Sequence, residues 1–181
     1  MDAFKAIKTR RSVRQFEKKK VSQDKIEKIL DAGLRAPSSK NCQPWHFIVL
    51  KGKKKDKIVE ITENNFYEPA WIKTKTTLLS CNIIKQAPVL ILVFNKGPIS
   101  GGEKHAARNT KLSSAIIAES LSIGASIENM LITATSLGLS SLWIGDLRNA
   151  KQRIEKYFKT KYDLIAGVAI GYGNVRSFKM T

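Results

Sequence analysis

The sequence predicts a single α+β domain spanning residues 1–181, on three observations. The length of 181 residues fits one domain with a real core. Ser114 to Leu137 repeats apolar and small residues at helical spacing over a stretch too long for a strand. Pro88 to Phe94 is an unbroken apolar run, the pattern of a strand covered on both faces.

The elements follow in order. Asp2 to Lys8 reads as a short helix with Phe4 and Ile7 on one face, and Arg10 to Phe16 as an extended segment. Ser22 suits the N-cap of a second helix, and Asp24 sits favourably near its positive end. Ile26, Ile29, Leu30, Gly33 and Leu34 recur at helical spacing until Pro37 stops the helix. His46 to Leu50 is a strand bounded by Lys51 and Gly52. Residues 53–86 read as helical pieces broken near Glu68 and Pro69. Lys96 to Asn109, with Gly97, Pro98, Gly101 and Gly102, reads as a long loop without nucleotide-loop spacing. Ser114–Leu137 is apolar or small on nearly every side, so it is a core helix, and the sharper reading makes it a dimer seam as well. Gly138 is its C-terminal cap. Leu139 to Gly145 is short and apolar, Asn149 to Tyr157 is a basic amphipathic helix, and Leu164 to Tyr172 is the last strand.

Composition narrows the class. The 43% apolar content is that of an ordinary globular domain. The Ala87–Phe94 run is far too short to span a bilayer, and the N-terminus lacks the apolar core of a signal peptide, so a cytoplasmic protein is expected. Cys42 and Cys81 have no metal-ligand spacing and read as reduced thiols. The net charge of +17, from 32 Lys and Arg against 15 Asp and Glu, raises nucleic-acid binding. The excess lies in lysine clusters at 18–20 and 51–57 without interleaved aromatics, and no nucleic-acid motif accompanies it. A solvated lysine-rich surface is preferred, with neither a specific nucleic acid nor a membrane as partner.

Two runs carry chemistry. Arg10-Arg11-Ser12-Val13-Arg14 packs three guanidiniums and a hydroxyl into five residues. Arg forks match phosphate oxygens two at a time. In extended backbone Arg10, Ser12 and Arg14 share one side, and Arg11 takes the other. Alone, such a run is more often a solvated surface. Pro37-Ser38-Ser39-Lys40-Asn41-Cys42-Gln43-Pro44-Trp45 is a stiff polar loop ending in an aromatic that belongs in a core. His46 and His105 show no partner spacing, and Cys42 has no neighbouring base that would make it a nucleophile.

In that order and separation the two runs resemble those of the FMN-dependent nitroreductase family. The 127–131 stretch with Gly138-Leu139 and Trp143-Ile144-Gly145 is similar to the family's central helix and following turn. Ala166 to Tyr172 is similar to its last core strand. The resemblance implies a three-layer fold, a central mostly antiparallel sheet flanked by helices, in a homodimer. It implies bound FMN, NADH or NADPH as electron donor, and ping-pong hydride transfer to a small acceptor such as a nitroaromatic or quinone. Cofactor contacts are implied for Arg10, Arg11, Ser12 and Arg14. Pro37, Ser38, Ser39, Asn41 and Gln43 would reach FMN across the dimer. Trp143, Ile144 and Gly145 would pack on the ring, with a backbone N–H at the flavin N5. Arg176 and Lys179 fall where the family places late phosphate ligands. No catalytic side chain and no metal is implied. An FMN protein of the same fold used for flavin storage, dehalogenation or flavin destruction stays open, and so, further off, does nucleic-acid binding.

Overall fold

The computed structural model describes residues 1–64, 75–97 and 110–173. The helices are α1 (Ala3–Thr9), α2 (Gln23–Leu34), α3 (Gly52–Asn64), α4 (Lys75–Gln86), α5 (Thr110–Ser136) and α6 (Lys151–Phe158). The strands are β1 (Trp45–Leu50), β2 (Val89–Asn95), β3 (Ser140–Ile144) and β4 (Asp163–Gly171). They form one sheet in the order β1-β2-β4-β3, with every pair antiparallel. The expected class, an antiparallel sheet between helices, is what the chain adopts.

Two apolar cores lie on opposite faces of the sheet. β2 supplies both, because side chains alternate along a strand. Leu90, Leu92 and Phe94 enter the core under α3, α4 and α6. Val89, Ile91 and Val93 enter the one under α2 and α5. All seven residues of β2 are buried, as the unbroken apolar run predicts. Opposite Val93 and Phe94 the register with β4 shifts, with Val93 facing Ala166 and Phe94 facing Leu164. The one extra residue, Ile165, flips the alternation, so Leu164 and Ala166 serve different cores.

Local chemistry explains the boundaries. The Asp2 side chain accepts from the Lys5 N–H and caps α1. Ser22 stands at the N-cap of α2 as expected but makes no side-chain capping bond. Gly138 ends α5 at φ +72°, where a side chain would be strained. The basic helix expected over Asn149–Tyr157 begins as a 3-10 turn, Asp146–Ala150, before α6. The break expected at Glu68 and Pro69, and most of the 96–109 loop with His105, lie outside the described residues. Trp45 is a core side chain at 3% exposure.

α5 departs from the sequence reading. It is not buried all round, because Ile116, Ile117 and Leu121 are 48%, 57% and 69% exposed. Ser114–Ser136 is also long and apolar enough, by length and composition, to cross a membrane, which the short apolar runs did not suggest. Three of its polar side chains, Ser122, Ser126 and Asn129, bond inside the fold to α2 and the loop after it.

Candidate flavin site

The extended segment after α1 lies along the edge strand β3. Ser12 bridges Ser141 in parallel, and the Val13 N–H donates to the Ser141 carbonyl at 3.0 Å. Val13 is buried while Arg10 and Arg14 are half-buried and Ser12 is exposed. Arg10 reaches α5, its Nε standing 3.6 Å from Glu128 Oε1. Arg14 Nη1 donates to the Ser12 carbonyl at 3.3 Å. Arg11 turns away and donates to the carbonyls of Lys8 and Arg10 at 3.0 and 2.8 Å, serving the end of α1.

Beside this segment is an open hollow of about 590 Å³, lined by Ile116, Ile117, Leu121, Gly124 and Glu128 of α5 and by Trp143. Pockets for drug-sized ligands run roughly 300–1,000 Å³. Trp143 is 43% exposed, and its ring stands against α5 at Gly124, where an added Cβ would lie 3.9 Å from Cη2. Ile144 points to the other side of the sheet into the α3/α4/α6 core, so its contact with any ligand here would run through its backbone. A Cβ added to Gly145 would meet nothing within 4 Å, so the turn opens onto free space. Its φ of −83° is ordinary, so backbone conformation does not demand glycine there. The Ser141 hydroxyl, 2% exposed, has no hydrogen-bond partner among the described residues.

The Pro37–Gln43 loop closes on itself. A 3-10 turn spans Ser39–Asn41, and the Gln43 N–H donates to Ser38 Oγ at 2.9 Å. Gln43 Nε2 donates to Asn41 Oδ1 at 3.2 Å. Lys40, Asn41 and Gln43 have φ of 50°, 54° and 45°, three of the four non-glycine residues with positive φ among those described. Such strain, about 1–3 kcal/mol per residue, persists only where the surroundings hold it and is concentrated at functional sites. Pro37, Ser39, Asn41 and Gln43 are exposed, and Ser38 is half-buried.

Within one protomer the two runs lie on different sides of α5. Arg10 bonds to Glu128 on the hollow's face, and Ser39 bonds to Ser122 on the inward face. Arg176 and Lys179 lie outside the described residues. The sequence reading did not find Glu128, the Ser122 anchor or the orphaned Ser141 hydroxyl. For Ser122 and Glu128 the one signal was small or polar residues spaced three and four apart on an otherwise apolar helix; Ser141, on β3, gave none. The strongly shifted thiol is elsewhere: burial first, then the Glu63 charge, pushes Cys81 up to about 11. His46, lowered by burial and then by Lys96, sits beside Tyr162 in the opposite layer. Among the described residues no cluster of three His, Cys, Asp or Glu could hold a metal.

Comparison with known proteins agrees with this geometry. The family model described as "Nitroreductase family" matches residues 7–172. A Methanothermobacter thermautotrophicus protein assigned as an NADH dehydrogenase/NAD(P)H nitroreductase is 28% identical over 176 residues, covering 95% of this chain and 78% of its own. The FMN reductase [NAD(P)H] of Bacillus subtilis is 28% identical over 185 residues, covering 98% and 68%. A BluB-like flavoprotein from Clostridium difficile 630 superimposes with a TM-score of 0.76 at 28% identity, over 100% of this chain and 94% of that one. The chain belongs to the nitroreductase family.

Proposed function

We propose that the protein is an FMN-dependent NAD(P)H oxidoreductase whose two flavin sites lie at the interface of a homodimer. The observation that carries this is the hollow, which has the Arg10–Glu128 pair at one edge and an apolar wall on the other, while among the described residues the polar Ser38–Gln43 loop is anchored on a different face of α5. The family's relatives supply the cofactor and donor classes in their names, FMN and NAD(P)H.

The residues present fit a flavin mononucleotide. Arg10 and Arg14 are half-buried cations on one short segment, suited to a phosphate or to the negative charge of a reduced ring. The Ser141 hydroxyl is a buried group beside that segment with no partner among the described residues. The free space over Gly145 admits a flat ring close to backbone. When bound, FMN supplies hydride chemistry between a nicotinamide donor and an acceptor.

The chain's own part is binding, orientation and water exclusion. Ile116, Ile117 and Leu121 shield one side of the hollow, and Trp143 offers a flat apolar face. Glu128 holds Arg10 in place before an anion arrives, and weakens its field until then. Ser39 and Asn41, turned outward by the strained loop, would serve the partner protomer's site. Arg176 and Lys179 remain candidate phosphate ligands, and Arg11, spent on α1, is the least suited of the four residues in its run. The open hollow suits successive occupation by donor and acceptor, a ping-pong order, with a nitroaromatic or quinone as acceptor.

A second reading, reductive dehalogenation, is favoured by a 31% identity over 103 residues to the iodotyrosine deiodinase of Thermotoga neapolitana, which covers 51% of this chain. The test is the spectrum of the purified protein followed by turnover. The expected result is a yellow protein with stoichiometric, extractable FMN that oxidises NADH or NADPH when a nitroaromatic or quinone is added. Turnover of a halogenated tyrosine alone would select the second reading. A colourless protein that takes up no FMN would reject both.

A further inference from the structure

α5 carries four polar residues on its inward side, Glu119, Ser122, Ser126 and Asn129, spaced at i, i+3, i+7 and i+10 on one face. Each is committed to a neighbour. Ser126 Oγ donates to the Gly33 carbonyl at 2.8 Å, and Asn129 Nδ2 donates to the Ala32 carbonyl at 3.1 Å. Those two bond to carbonyls in the last turns of α2, where the Gly33 carbonyl also accepts from the Ala36 N–H at 3.3 Å. Glu119 Oε2 accepts from Asn95 Nδ2 at 2.7 Å, and Asn95 Oδ1 accepts from the Gly97 N–H at 2.8 Å. Ser122 does something different. Its hydroxyl, in a residue 5% exposed, accepts from the Ser39 N–H at 3.1 Å and donates to the Ala118 carbonyl at 2.6 Å.

That bond ties the strained loop to the body of the protein. Among the described residues the loop's other bonds are internal: Asn41 N–H to the Ser38 carbonyl, Cys42 N–H to the Ser39 carbonyl, and Gln43 N–H to Ser38 Oγ. Internal bonds shape the loop but do not aim it. Its downstream end is held where the Lys96 N–H donates to the Pro44 carbonyl at 2.7 Å. Between α2 and that point, Ser122 is the hydrogen-bond partner that α5 offers the loop.

We infer that Ser122 is a positioning residue of the flavin site, holding the Ser38–Gln43 loop in its strained form so that Ser39 and Asn41 meet the partner protomer's flavin already oriented. The inference rests on the function proposed above. Ser122 touches no ligand; it removes the cost of ordering the loop on binding.

The test compares Ser122→Ala with Ser126→Ala, full-length and purified with and without FMN. Both delete a buried hydroxyl from the same face of the same helix, and only the first touches the loop. In the flavin-free protein, Ser122→Ala should lose amide-exchange protection across residues 39–43 while Ser126→Ala keeps it. FMN should bind Ser122→Ala about tenfold more weakly or worse, the scale of one hydrogen bond together with the ordering it prevents. Ser126→Ala should lower the melting midpoint and leave FMN affinity at the parent value. Should Ser122→Ala not fold, Ser122→Cys, which keeps the volume and weakens the acceptor, gives the same comparison. Unchanged exchange at 39–43, or loosened exchange with parent FMN affinity, overturns the inference. Equal loss of FMN affinity in both variants also overturns it, because the effect would then be general instability. A parent protein that takes up no FMN is a separate failure, of the function itself, and removes the inference with it.

Discussion

The two faces of α5 differ in what their side chains meet: inward, the core residues Ile123, Ile127 and Met130 are interleaved with four polar ones, whereas the outward face is apolar yet exposed. Inward, Glu119, Ser122, Ser126 and Asn129 contact backbone and polar groups of α2, the following loop and the end of β2. Outward, Ile116, Ile117 and Leu121 are exposed, and α1, packed against α5, adds Phe4 at 75% and Ile7 at 56% exposure. The magnitudes separate the roles. Each inward hydrogen bond is worth about 1 kcal/mol net, whereas covering one large apolar side chain is worth about 1.5–3 kcal/mol. The inward hydrogen bonds set geometry; covering the outward apolar side chains is stabilisation that the proposed dimer would gain.

The largest expected effect comes from charging the outward face. Leu121→Asp should leave the protomer folded, because Leu121 is 69% exposed. It should weaken self-association by on the order of a hundredfold or more, the scale of an uncompensated charge in an apolar seam. Sedimentation equilibrium measures this, and an undiminished dimer would move the seam elsewhere. Next is Gly97→Ala at the inward face. Its Cβ would fall 2.2 Å from Glu119 Oε1, a clash with a buried carboxylate. Overpacking of this kind costs about 1–3 kcal/mol. Denaturant unfolding should register that loss, and Gly97→Ala combined with Glu119→Ala should recover part of it; no recovery would locate the strain outside this contact. Ser126→Ala is smaller, about 1 kcal/mol of stability, with self-association unchanged by the same sedimentation measurement. The smallest effect is on thiols. Cys42 is exposed on the loop, while Cys81 is buried with its pKa pushed up to about 11. One thiol should react in the native protein at neutral pH and two in denaturant, and FMN should slow the first. A Cys42 rate indifferent to FMN would argue against the loop lying at a flavin.

Much of the architecture was legible because it depends on local pattern. The unbroken run in β2 announces a strand buried on both faces, and Gly138 stands where α5 needs a positive φ. Trp45 reads from the sequence as a core aromatic, whereas Trp143 reads as a ring contact only through the family resemblance. The tertiary fold buries the first and exposes the second. The two site runs were visible as chemistry, but not their separation by α5, which depends on where α1 and α2 dock. The Ser122 anchor was hidden for a similar reason. A serine in an apolar helix reads as a small residue permitting close packing, and its partner is a backbone N–H 83 residues away. Arg11 shows the limit of reading role from spacing: its guanidinium is bonded to the Lys8 and Arg10 carbonyls at the end of α1, local partners that spacing does not reveal.

The central claim is that each flavin site takes Arg10 and Arg14 from one protomer and Ser39 and Asn41 from the other. Subunit exchange tests it directly. One variant carries Arg10→Ala with Arg14→Ala, and the other Ser39→Ala with Asn41→Ala; each should be inactive alone. After exchange, every heterodimer should contain one intact site and one site with both defects. NAD(P)H oxidation with added acceptor should therefore return to about half the parent rate per heterodimer, as expected for independent sites. Inactive mixtures, despite heterodimers demonstrated by mass, would put both runs in the same protomer's site and contradict the account.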